Sequence, residues 1–310
     1  MKGIVAVDIG GTKVSAACFD GKLRAGQQIE TQPSRGAERV TEAIVSLIAN
    51  TARAGGLKEI AAVGVACPGP LMPSTGVVVH APTLGWTDYP LRERLTRALG
   101  CPVLLENDAN AAAYGEYRYG AGQGCGDMAY VTLSTGVGCG LILNGRIMYG
   151  KHEGAGELGH LNMREDGEPC VCGRRGCLEA YASGTGIAAI AKREALARGA
   201  SAEHADALNA ETVARRAREG DAMCQGIYRQ AGFYLGKAFA ALQMITDVGR
   251  IIVGGSVAAQ LDLLLPTLGE AAAAYSYWGD NAQQWLLPAA LGPHAGLIGA
   301  GALAMALCRA

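Results

Sequence analysis

The chain has 310 residues, of which 50% are hydrophobic and 18% charged, and its formal net charge at pH 7 is −1. These values exclude an intrinsically disordered chain and allow two lobes with large cores. The near-neutral charge argues against nucleic acid as a partner. The sequence starts with a strand-like segment, without a signal peptide or the ~20 apolar residues that span a bilayer. We therefore expect a cytoplasmic protein with no membrane partner.

The first part of the chain predicts a glycine-rich hairpin followed by alternating helices and strands. Residues 3–9 and 14–19 are apolar runs on either side of the turn 10–13, which predicts a β-hairpin. Apolar spacing and alanine content predict the elements that follow. They are helices over 36–54, 91–99 and 109–117 and strands over 60–66 and 103–105.

A weak internal repeat begins at residue 130. Strand 130–133, the small-residue turn 134–138 and strand 139–143 follow the same order as the first hairpin. Two related lobes that each offer a small-residue loop to a shared cleft are the simplest interpretation, although unrelated hairpins with glycine turns also look alike. The remaining patterns predict helices over 185–198, 203–220, 224–245, 261–274 and 297–307 and a strand over 251–253. We expect a small lobe of 1–118 with 296–310, and a larger lobe of 119–295.

A loop within residues 157–179 is rich in glycine and charge and has no hydrophobic pattern of its own. Three thiolates and one imidazole are a typical donor set of a structural zinc site, and zinc would supply the constraint that this loop lacks. Small core cysteines or a disulfide are the alternatives. The candidate ligands are His160, Cys170, Cys172 and Cys177.

Two acidic residues, Glu157 and Glu179, stand at the ends of the metal-binding segment. A bound metal would hold them as a fixed pair, which suggests that the metal shapes a binding pocket. Together with His160 they suit a polyol, because a site for hydroxyl groups needs several polar partners of fixed geometry. One nitrogen of His160 would face the metal and leave the other for a sugar hydroxyl. Surface solvation is the alternative for the two glutamates.

The turn at residues 8–13 combines a carboxylate, two glycines, a hydroxyl and a lysine. Glycines let backbone N–H groups approach phosphate oxygens closely, and Asp8 can hold Mg²⁺ through water. The spacing differs from that of a Walker A loop, and a plain hairpin with a solvated lysine is the alternative. The candidate phosphate ligands here are Asp8, Gly10, Gly11, Thr12 and Lys13.

Two further small-residue turns are candidates for nucleotide binding. The turn at 134–138 could bind the same phosphates from the second lobe, with Ser134, Thr135, Gly136 and Gly138. Gly254 and Gly255, which follow a strand, could let an adenine or ribose pack against the backbone. Each turn is weak evidence alone, and the argument rests on their occurring together.

Asp108 is the candidate general base, because it follows a short buried strand and opens an alanine-rich helix. A helix N-terminus favours the ionised carboxylate, which can accept the proton of an attacking hydroxyl during phosphoryl transfer. Asn107 beside it can hydrogen-bond a substrate hydroxyl. An ordinary helix cap is the alternative, since Asp and Asn are preferred capping residues.

Taken together, these motifs resemble the ROK family of sugar kinases and related repressors. The matching stretches run through the chain at 8–13, 68–70, 106–110, 134–138, 157–160, 170–179 and 253–255. The resemblance implies an α/β, actin-like (ribonuclease H-like) two-lobed ATPase fold with an inserted zinc-binding loop. It further implies Mg²⁺ and ATP as cofactors, structural Zn²⁺ and a homodimer. A repressor would carry a DNA-binding module before the first strand; because that strand already begins at residue 3, we expect an enzyme and not a transcription factor.

The resemblance also assigns roles to residues. Asp108 would be the catalytic base, and the sugar would be held by Gly69, Asn107, Asp108, Glu157, His160 and Glu179. We predict phosphorylation of the 6-hydroxyl of glucose, with an N-acetylmannosamine, fructose or allose kinase as the alternative. A sugar-sensing protein without catalysis is the candidate from another class. Thr83 stands where many glucokinase-like members have Asn, so one sugar contact differs.

Overall fold

The computed structural model describes residues 2–277 and 282–309. The chain forms two compact units, each built from several segments. Unit 1 comprises Met1–Gly124, Gly140–Ala155 and Ala290–Ala310, and unit 2 comprises Cys125–Cys139 and Gly156–Ala289. The division into lobes at 118/119 and 295/296 stays a prediction. Among the described residues, no helix combines the length and the apolar character that a membrane crossing requires.

The regular elements alternate between strands and helices and are numbered in chain order. The strands are β1 Lys2–Ile9, β2 Lys13–Phe19, β3 Leu23–Glu30, β4 Glu59–Cys67, β5 Leu71–Met72, β6 Val77–Ala81, β7 Trp86–Tyr89, β8 Val103–Asn107, β9 Met128–Leu133, β10 Val137–Leu143, β11 Arg146–Ile147, β12 Arg250–Gly254 and β13 Leu286–Pro288. The α-helices are α1 Ala37–Ala54, α2 Leu91–Leu99, α3 Asp108–Tyr119, α4 Glu179–Ala182, α5 Gly184–Ala197, α6 Ala202–Asp206, α7 Ala210–Arg218, α8 Ala222–Thr246, α9 Leu261–Tyr275, α10 Ala282–Trp285 and α11 Ala295–Leu307.

Unit 1 is organised around a five-stranded sheet of order β3-β2-β1-β4-β8. β1 pairs antiparallel with β2, whereas β1, β4 and β8 run parallel. β1 is apolar on both faces because side chains alternate across a strand and both faces are covered. Val5 and Val7 belong to the core that includes α1, and Ile4 and Ala6 pack in the cluster that includes residues of α11.

Parallel pairing brings the carboxyl ends of three strands to one edge of this sheet. Asp8 of β1 lies opposite Ala66 of β4, and Cys67 of β4 lies opposite Asn107 of β8. Loops that follow parallel strands at such an edge are the usual place for ligand sites in α/β proteins. The predicted catalytic and phosphate-binding residues of unit 1 therefore start from the same edge.

Helix α3, whose first residue is Asp108, is held by a close approach to α11. A Cβ atom on Gly299 would overlap the carbonyl oxygen of Ala111, and one on Gly115 would lie 2.5 Å from the carbonyl oxygen of Ala295. Only glycine permits this separation of the two helix backbones. The position of α3 is thus set by backbone contact with α11.

The other end of α3 is fixed by a buried carboxylate. Glu116 has 0% relative exposure. Its oxygens accept hydrogen bonds from the backbone N–H groups of Ala121, Ala290 and Leu291, at 2.8, 3.1 and 2.8 Å. These donors supply the partners that a buried carboxylate requires. Glu116 therefore joins the end of α3 to the segment that leads into α11.

Unit 2 contains most of the second sheet, of order β11-β10-β9-β12-β13, in which β9, β12 and β13 are parallel. Helices α5, α7, α8 and α9 pack beside one another. At the contact between α8 and α9, Gly236 lacks the Cβ that would overlap the carbonyl oxygen of Leu268. The long apolar pattern of α8 reflects this burial on several sides.

Most predicted elements are confirmed to within a few residues, and the exceptions have physical causes. The helix predicted over 203–220 is wrong as one element: it is α6 and α7, and Asn209 starts α7 with a reciprocal capping box to Thr212. The prediction omitted β3 because four of its eight residues are polar and its side chains alternate between partly buried and exposed, without a buried face. β5, β6 and β7 form a small separate sheet whose short, turn-rich strands give little periodic signal.

Replacing Gly299 with alanine should lower the free energy of unfolding by about 1–3 kcal/mol, because a Cβ must displace the backbone of α3. The matched control is Gly226→Ala in α8, where a Cβ meets nothing within 4 Å and should stabilise the helix by up to about 1 kcal/mol. Urea unfolding of both variants gives the comparison. Equal stability of Gly299→Ala and the unmodified protein would contradict the close packing.

Candidate functional site

The carboxylates of Asp8 and Asp108 lie near each other at the sheet edge of unit 1. Burial raises the pKa of Asp8 to about 7, and the negative charge of Asp108 adds to this shift, while Lys13 opposes it. Gly296, in the first turn of α11, approaches the Asp8 carboxylate so closely that a Cβ there would lie 3.1 Å from Oδ2. A partly buried carboxylate beside an exposed one is a suitable environment for a divalent cation.

Asn107, not Asp108, is the N-cap of α3. Its Oδ1 accepts hydrogen bonds from the backbone N–H groups of Ala109 and Asn110 at 2.9 and 3.2 Å. Asp108 is exposed, and its Oδ1 accepts from the N–H of Ala109 at 2.9 Å. The helix-capping role that was the alternative for Asp108 therefore belongs to Asn107. The carboxylate of Asp108 is placed at the helix N-terminus, where the dipole favours its ionised form.

Gly69 is brought next to Asn107. A Cβ on Gly69 would lie 3.5 Å from the amide nitrogen Nδ2 of Asn107 and 2.7 Å from the backbone nitrogen of Leu71. Since Oδ1 of Asn107 is engaged in capping, Nδ2 is the atom suited to donate to a substrate oxygen. Gly69, Asn107 and Asp108, three of the residues predicted to bind sugar, are therefore neighbours in unit 1.

Beneath this group lies Glu106, which the site prediction left out. Glu106 is 1% exposed, and its Oε1 accepts from the backbone N–H of Asn107 at 2.9 Å and from Asn110 Nδ2 at 3.1 Å. Its Oε2 accepts from the hydroxyl of Tyr149 at 2.6 Å. Burial raises the pKa of Glu106, although these hydrogen bonds oppose the shift. A charged residue at the end of an apolar strand was the available sequence signal.

The predicted phosphate loop of unit 1 is a tight turn between β1 and β2. The N–H of Gly10 donates to the carbonyl of Lys13 at 2.9 Å, and the side chains of Thr12 and Lys13 are exposed. Thr83 lies against this turn, since a Cβ on Gly11 would be 3.0 Å from the Cβ of Thr83. Thr83, which departs from the glucokinase pattern, thus contacts the phosphate loop directly.

In unit 2, the predicted metal ligands form one cluster. One ligand atom from each of His160, Cys170, Cys172 and Cys177 lies within 4.8 Å of the others. The sulfurs of Cys172 and Cys177 are 3.7 Å apart, and the sulfur of Cys170 is 3.8 Å from His160 Nδ1. Four ligands around a tetrahedral zinc with ~2.3 Å Zn–S bonds place sulfurs at roughly this separation. The cluster is therefore compatible with a zinc site.

The loop backbone is shaped to present these side chains. Isolated bridges pair Asn162 with Cys177 and Pro169 with Arg175. Gly176 has a φ of 76°, and a Cβ there would overlap the carbonyl oxygen of Arg164, so that only glycine fits. Backbone pairing therefore orders this loop and presents the four side chains of the cluster together.

His160 presents its two nitrogens to different partners. Nδ1 faces the sulfur of Cys170 at 3.8 Å, and Nε2 lies 3.9 Å from Oε2 of Glu157. The side chain of Glu157 is 62% exposed, in keeping with the solvated alternative for that residue in this state. His160 can therefore serve the cluster through Nδ1 while Nε2 stays on the side of Glu157.

Glu179 links the ligand cluster to the predicted phosphate turn of unit 2. Its Oε2 accepts from the backbone N–H of Val137 at 2.9 Å, and its Oε1 lies 3.9 Å from the sulfur of Cys170. A Cβ on Gly136 would lie 2.6 Å from Glu179 Oε2. For Glu179, surface solvation alone is therefore not the explanation of its position.

The remaining nucleotide candidates of unit 2 are also neighbours. The hydroxyls of Ser134 and Ser256 are 3.3 Å apart, and Thr185 donates to the carbonyl of Thr135 at 2.7 Å. Gly255 has a φ of 96°, and a Cβ there would overlap the carbonyl oxygen of Leu133. Gly138 lies within β10 and Gly254 ends β12. The two turns therefore converge beside β9.

The structure thus groups the predicted residues within each unit. Unit 1 brings together two sets, one for phosphate and one for sugar: Asp8, Gly10, Gly11, Thr12 and Lys13, and Gly69, Asn107 and Asp108. Unit 2 brings together the ligand cluster, Glu157, Glu179 and the small-residue turns. The roles of these residues in binding and catalysis stay predictions.

Comparison with known proteins assigns the class of this fold. The model of the ROK family matches residues 4–306. A glucokinase from Streptomyces coelicolor is 35% identical, over 97% of this chain and 96% of that protein. An N-acetylmannosamine kinase from Salmonella typhi is 35% identical over 82% of each. The structure of a ROK family glucokinase from Streptomyces griseus, in complex with glucose and AMPPNP, has a TM-score of 0.81 and 34% identity, covering 98% of this chain and 99% of that one.

These matches define the fold as the α/β fold of the ROK sugar kinases, which confirms the fold class predicted from the motifs. Because the family model covers nearly the whole sequence and the relatives exceed 30% identity, the chain belongs to the ROK family. The resemblance drawn from the glycine-rich turns and the Cys/His loop is therefore confirmed.

Asp8 should make the stability of the protein without nucleotide dependent on pH. Its pKa is about 7 in the folded protein and 3.8 as the ordinary value. Between these values the folded state binds more protons, so the free energy of unfolding falls as the pH rises from 4 to 7. Asp8→Asn should remove this loss, and its advantage over the unmodified protein should grow from pH 5 to pH 8.

Urea unfolding at the two pH values measures the effect. Asp20→Asn, an exposed aspartate of the β2–β3 turn, is the control and should keep the original pH dependence. If Asp8→Asn and the unmodified protein lose stability in parallel between pH 5 and pH 8, the raised pKa is wrong.

Proposed function

We propose that this protein is an ATP-dependent hexose kinase that phosphorylates the 6-hydroxyl of glucose. The observation that carries the proposal is the placement of Asp108. Asn107 supplies the helix cap, and Asp108 presents an exposed carboxylate at the N-terminus of α3, near Asp8 and next to the Gly69–Asn107 pair. The glucose and AMPPNP bound by the Streptomyces griseus relative support the choice of sugar and donor.

In this proposal the acceptor hydroxyl gives its proton to Asp108 as the γ-phosphoryl group moves in line to the sugar oxygen. Asn107 orients the hydroxyl through Nδ2, with the Gly69 backbone beside it. Glu157, His160 and Glu179 accept from or donate to the other hydroxyls. The backbone of Gly10 and Gly11, with Thr12 and Lys13, receives the phosphates.

Asp8 would hold Mg²⁺ through water, and Mg²⁺ neutralises phosphate charge when bound. A bound cation would favour the ionised carboxylate of Asp8 and so oppose the raised pKa that burial and Asp108 cause. Ser134, Thr135, Gly136 and Gly138 contribute phosphate contacts from unit 2. Gly254 and Gly255 contribute a flat backbone surface for the adenosine.

Zinc is proposed as a structural ion at His160, Cys170, Cys172 and Cys177. The separation of the ligand atoms supports the assignment, as does the donor set. Bound there, the metal fixes His160 and the start of the segment that leads to Glu179, and thereby shapes the sugar side of the site. The homodimer and the cytoplasmic location remain predictions.

A coupled assay of ADP release over a panel of sugars tests the activity. Glucose should give the highest kcat/KM, and Asp108→Asn should lower kcat by about 10²–10⁴-fold because the proton acceptor is lost. Asp20→Asn is the matched control and should leave both constants unchanged.

Each outcome of the panel decides a different part of the proposal. An Asp108→Asn variant with full turnover on every sugar would rule out Asp108 as the base. Preference for N-acetylmannosamine would support the second candidate, which the Salmonella typhi relative favours. Preference for fructose or allose would show that the proposed substrate, glucose, is wrong. Sugar binding without any ADP release would support the non-catalytic sensor instead.

Removal of the metal should weaken both the fold of unit 2 and sugar binding. Cys172→Ser should lower the zinc content from one equivalent, reduce the melting temperature and raise the KM for the sugar, because zinc binding contributes folding free energy. Cys308→Ser, an exposed cysteine outside the cluster, is the control. Metal analysis by plasma mass spectrometry and thermal unfolding measure the two effects. Zinc-free protein with unchanged stability and unchanged sugar KM would contradict the assignment.

A further inference from the structure

Thr31 is a buried threonine whose backbone and side chain both hydrogen-bond to the turn at residues 10–13 in unit 1. It follows directly after β3 and is 3% exposed. Its backbone N–H donates to the carbonyl of Thr12 at 3.0 Å, and its hydroxyl donates to the carbonyl of Gly10 at 2.7 Å. One residue therefore binds two carbonyl groups of the proposed phosphate loop.

The orientation of a carbonyl fixes the orientation of the next N–H. In a trans peptide the C=O of one residue and the N–H of the next point in opposite directions. Because the Gly10 carbonyl is held by the Thr31 hydroxyl, the N–H of Gly11 is turned away from Thr31. A phosphate oxygen needs such N–H donors, and a carbonyl in their place would repel it.

The residues of the turn do not by themselves fix the orientation of the peptide between Gly10 and Gly11. Gly10 and Gly11 lack the Cβ atoms that restrict backbone torsions, so the peptide between them can adopt both orientations at little cost. The hydrogen bond from Gly10 N–H to the Lys13 carbonyl closes the turn but does not act on the peptide that joins the two glycines. The Thr31 hydroxyl acts on that peptide directly, through its hydrogen bond to the Gly10 carbonyl.

We propose that Thr31 is a positioning residue for the nucleotide. It holds the Gly10–Gly11 peptide with its N–H toward the phosphates, and so prepares the loop before ATP binds. This inference rests on the proposed function of the turn at residues 10–13. The competing explanation is that the Thr31 hydroxyl makes this hydrogen bond only because a buried hydroxyl needs a partner. The two explanations predict different effects of a valine at position 31 on nucleotide binding.

Thr31→Val keeps the shape and the backbone N–H but removes the hydroxyl donor, whereas Thr31→Ser keeps the donor. Titration calorimetry with Mg-AMPPNP should show binding about 5–10-fold weaker for Thr31→Val, since one net hydrogen bond no longer biases the loop. Thr31→Ser should bind within twofold of the unmodified protein. In turnover assays Thr31→Val should raise the KM for ATP and leave the KM for the hexose unchanged.

The matched control is Thr51→Val in α1, another buried threonine, whose hydroxyl lacks a protein partner among the described residues. It should leave nucleotide affinity unchanged. The inference is overturned if Thr31→Val binds Mg-AMPPNP normally, if Thr31→Ser is as weak as Thr31→Val, or if Thr51→Val weakens binding equally. It is also overturned if Thr31→Val changes thermal stability alone.

The calorimetric readout separates this inference from the proposed function. If the unmodified protein binds Mg-AMPPNP but phosphorylates no sugar, the kinase proposal is wrong. The role of Thr31 is then still tested by the Mg-AMPPNP affinity of its variants. Normal sugar phosphorylation with unaltered binding by Thr31→Val would end the inference alone. Unmodified protein that neither binds the nucleotide nor turns over would end both.

Discussion

The parallel pairing of β1, β4 and β8 is the constraint on which unit 1 depends. It brings Asp8, Cys67 and Asn107 to one sheet edge although they are far apart in sequence. The close approach of α3 and α11 then decides where the helix that begins at Asp108 can lie. Because backbone meets backbone at Gly115 and Gly299, this placement leaves little freedom, and a rigid support of this kind favours precise catalytic geometry.

Two buried carboxylates, Glu106 and Glu116, hold the two ends of α3 in place. Glu106 accepts hydrogen bonds from Asn107, Asn110 and Tyr149, and Glu116 accepts three from backbone N–H groups. Such groups are costly to bury unless they are fully paired, so their partners are held firmly. Glu106 fixes the residue that caps α3, while Glu116 fixes the far end of that helix. Neither needs to touch a substrate to affect where Asp108 lies.

In unit 2 the corresponding feature is the Cys/His cluster, whose ligand atoms are compatible with a zinc site. The Cys/His loop brings one possible ligand atom from each of four residues within 4.8 Å of one another. Glu179 connects this cluster to the turn at 134–138 through the N–H of Val137. The Cys/His loop and the turn at 134–138 are therefore parts of one local assembly.

The sequence by itself determined the family, the fold class, most helices and strands, and the four candidate metal ligands that the structure brings together. These are carried by local signals, namely glycine turns, apolar periodicity and the spacing of Cys and His. The tertiary structure alone decided that Asn107 and not Asp108 caps α3, that Glu106 lies beneath these two residues, and that Thr31, which follows β3, contacts the turn at residues 10–13. The structural role of a buried acid or threonine depends on hydrogen-bond partners that are distant in sequence. Hydrogen bonds between distant residues leave no periodic pattern along the chain.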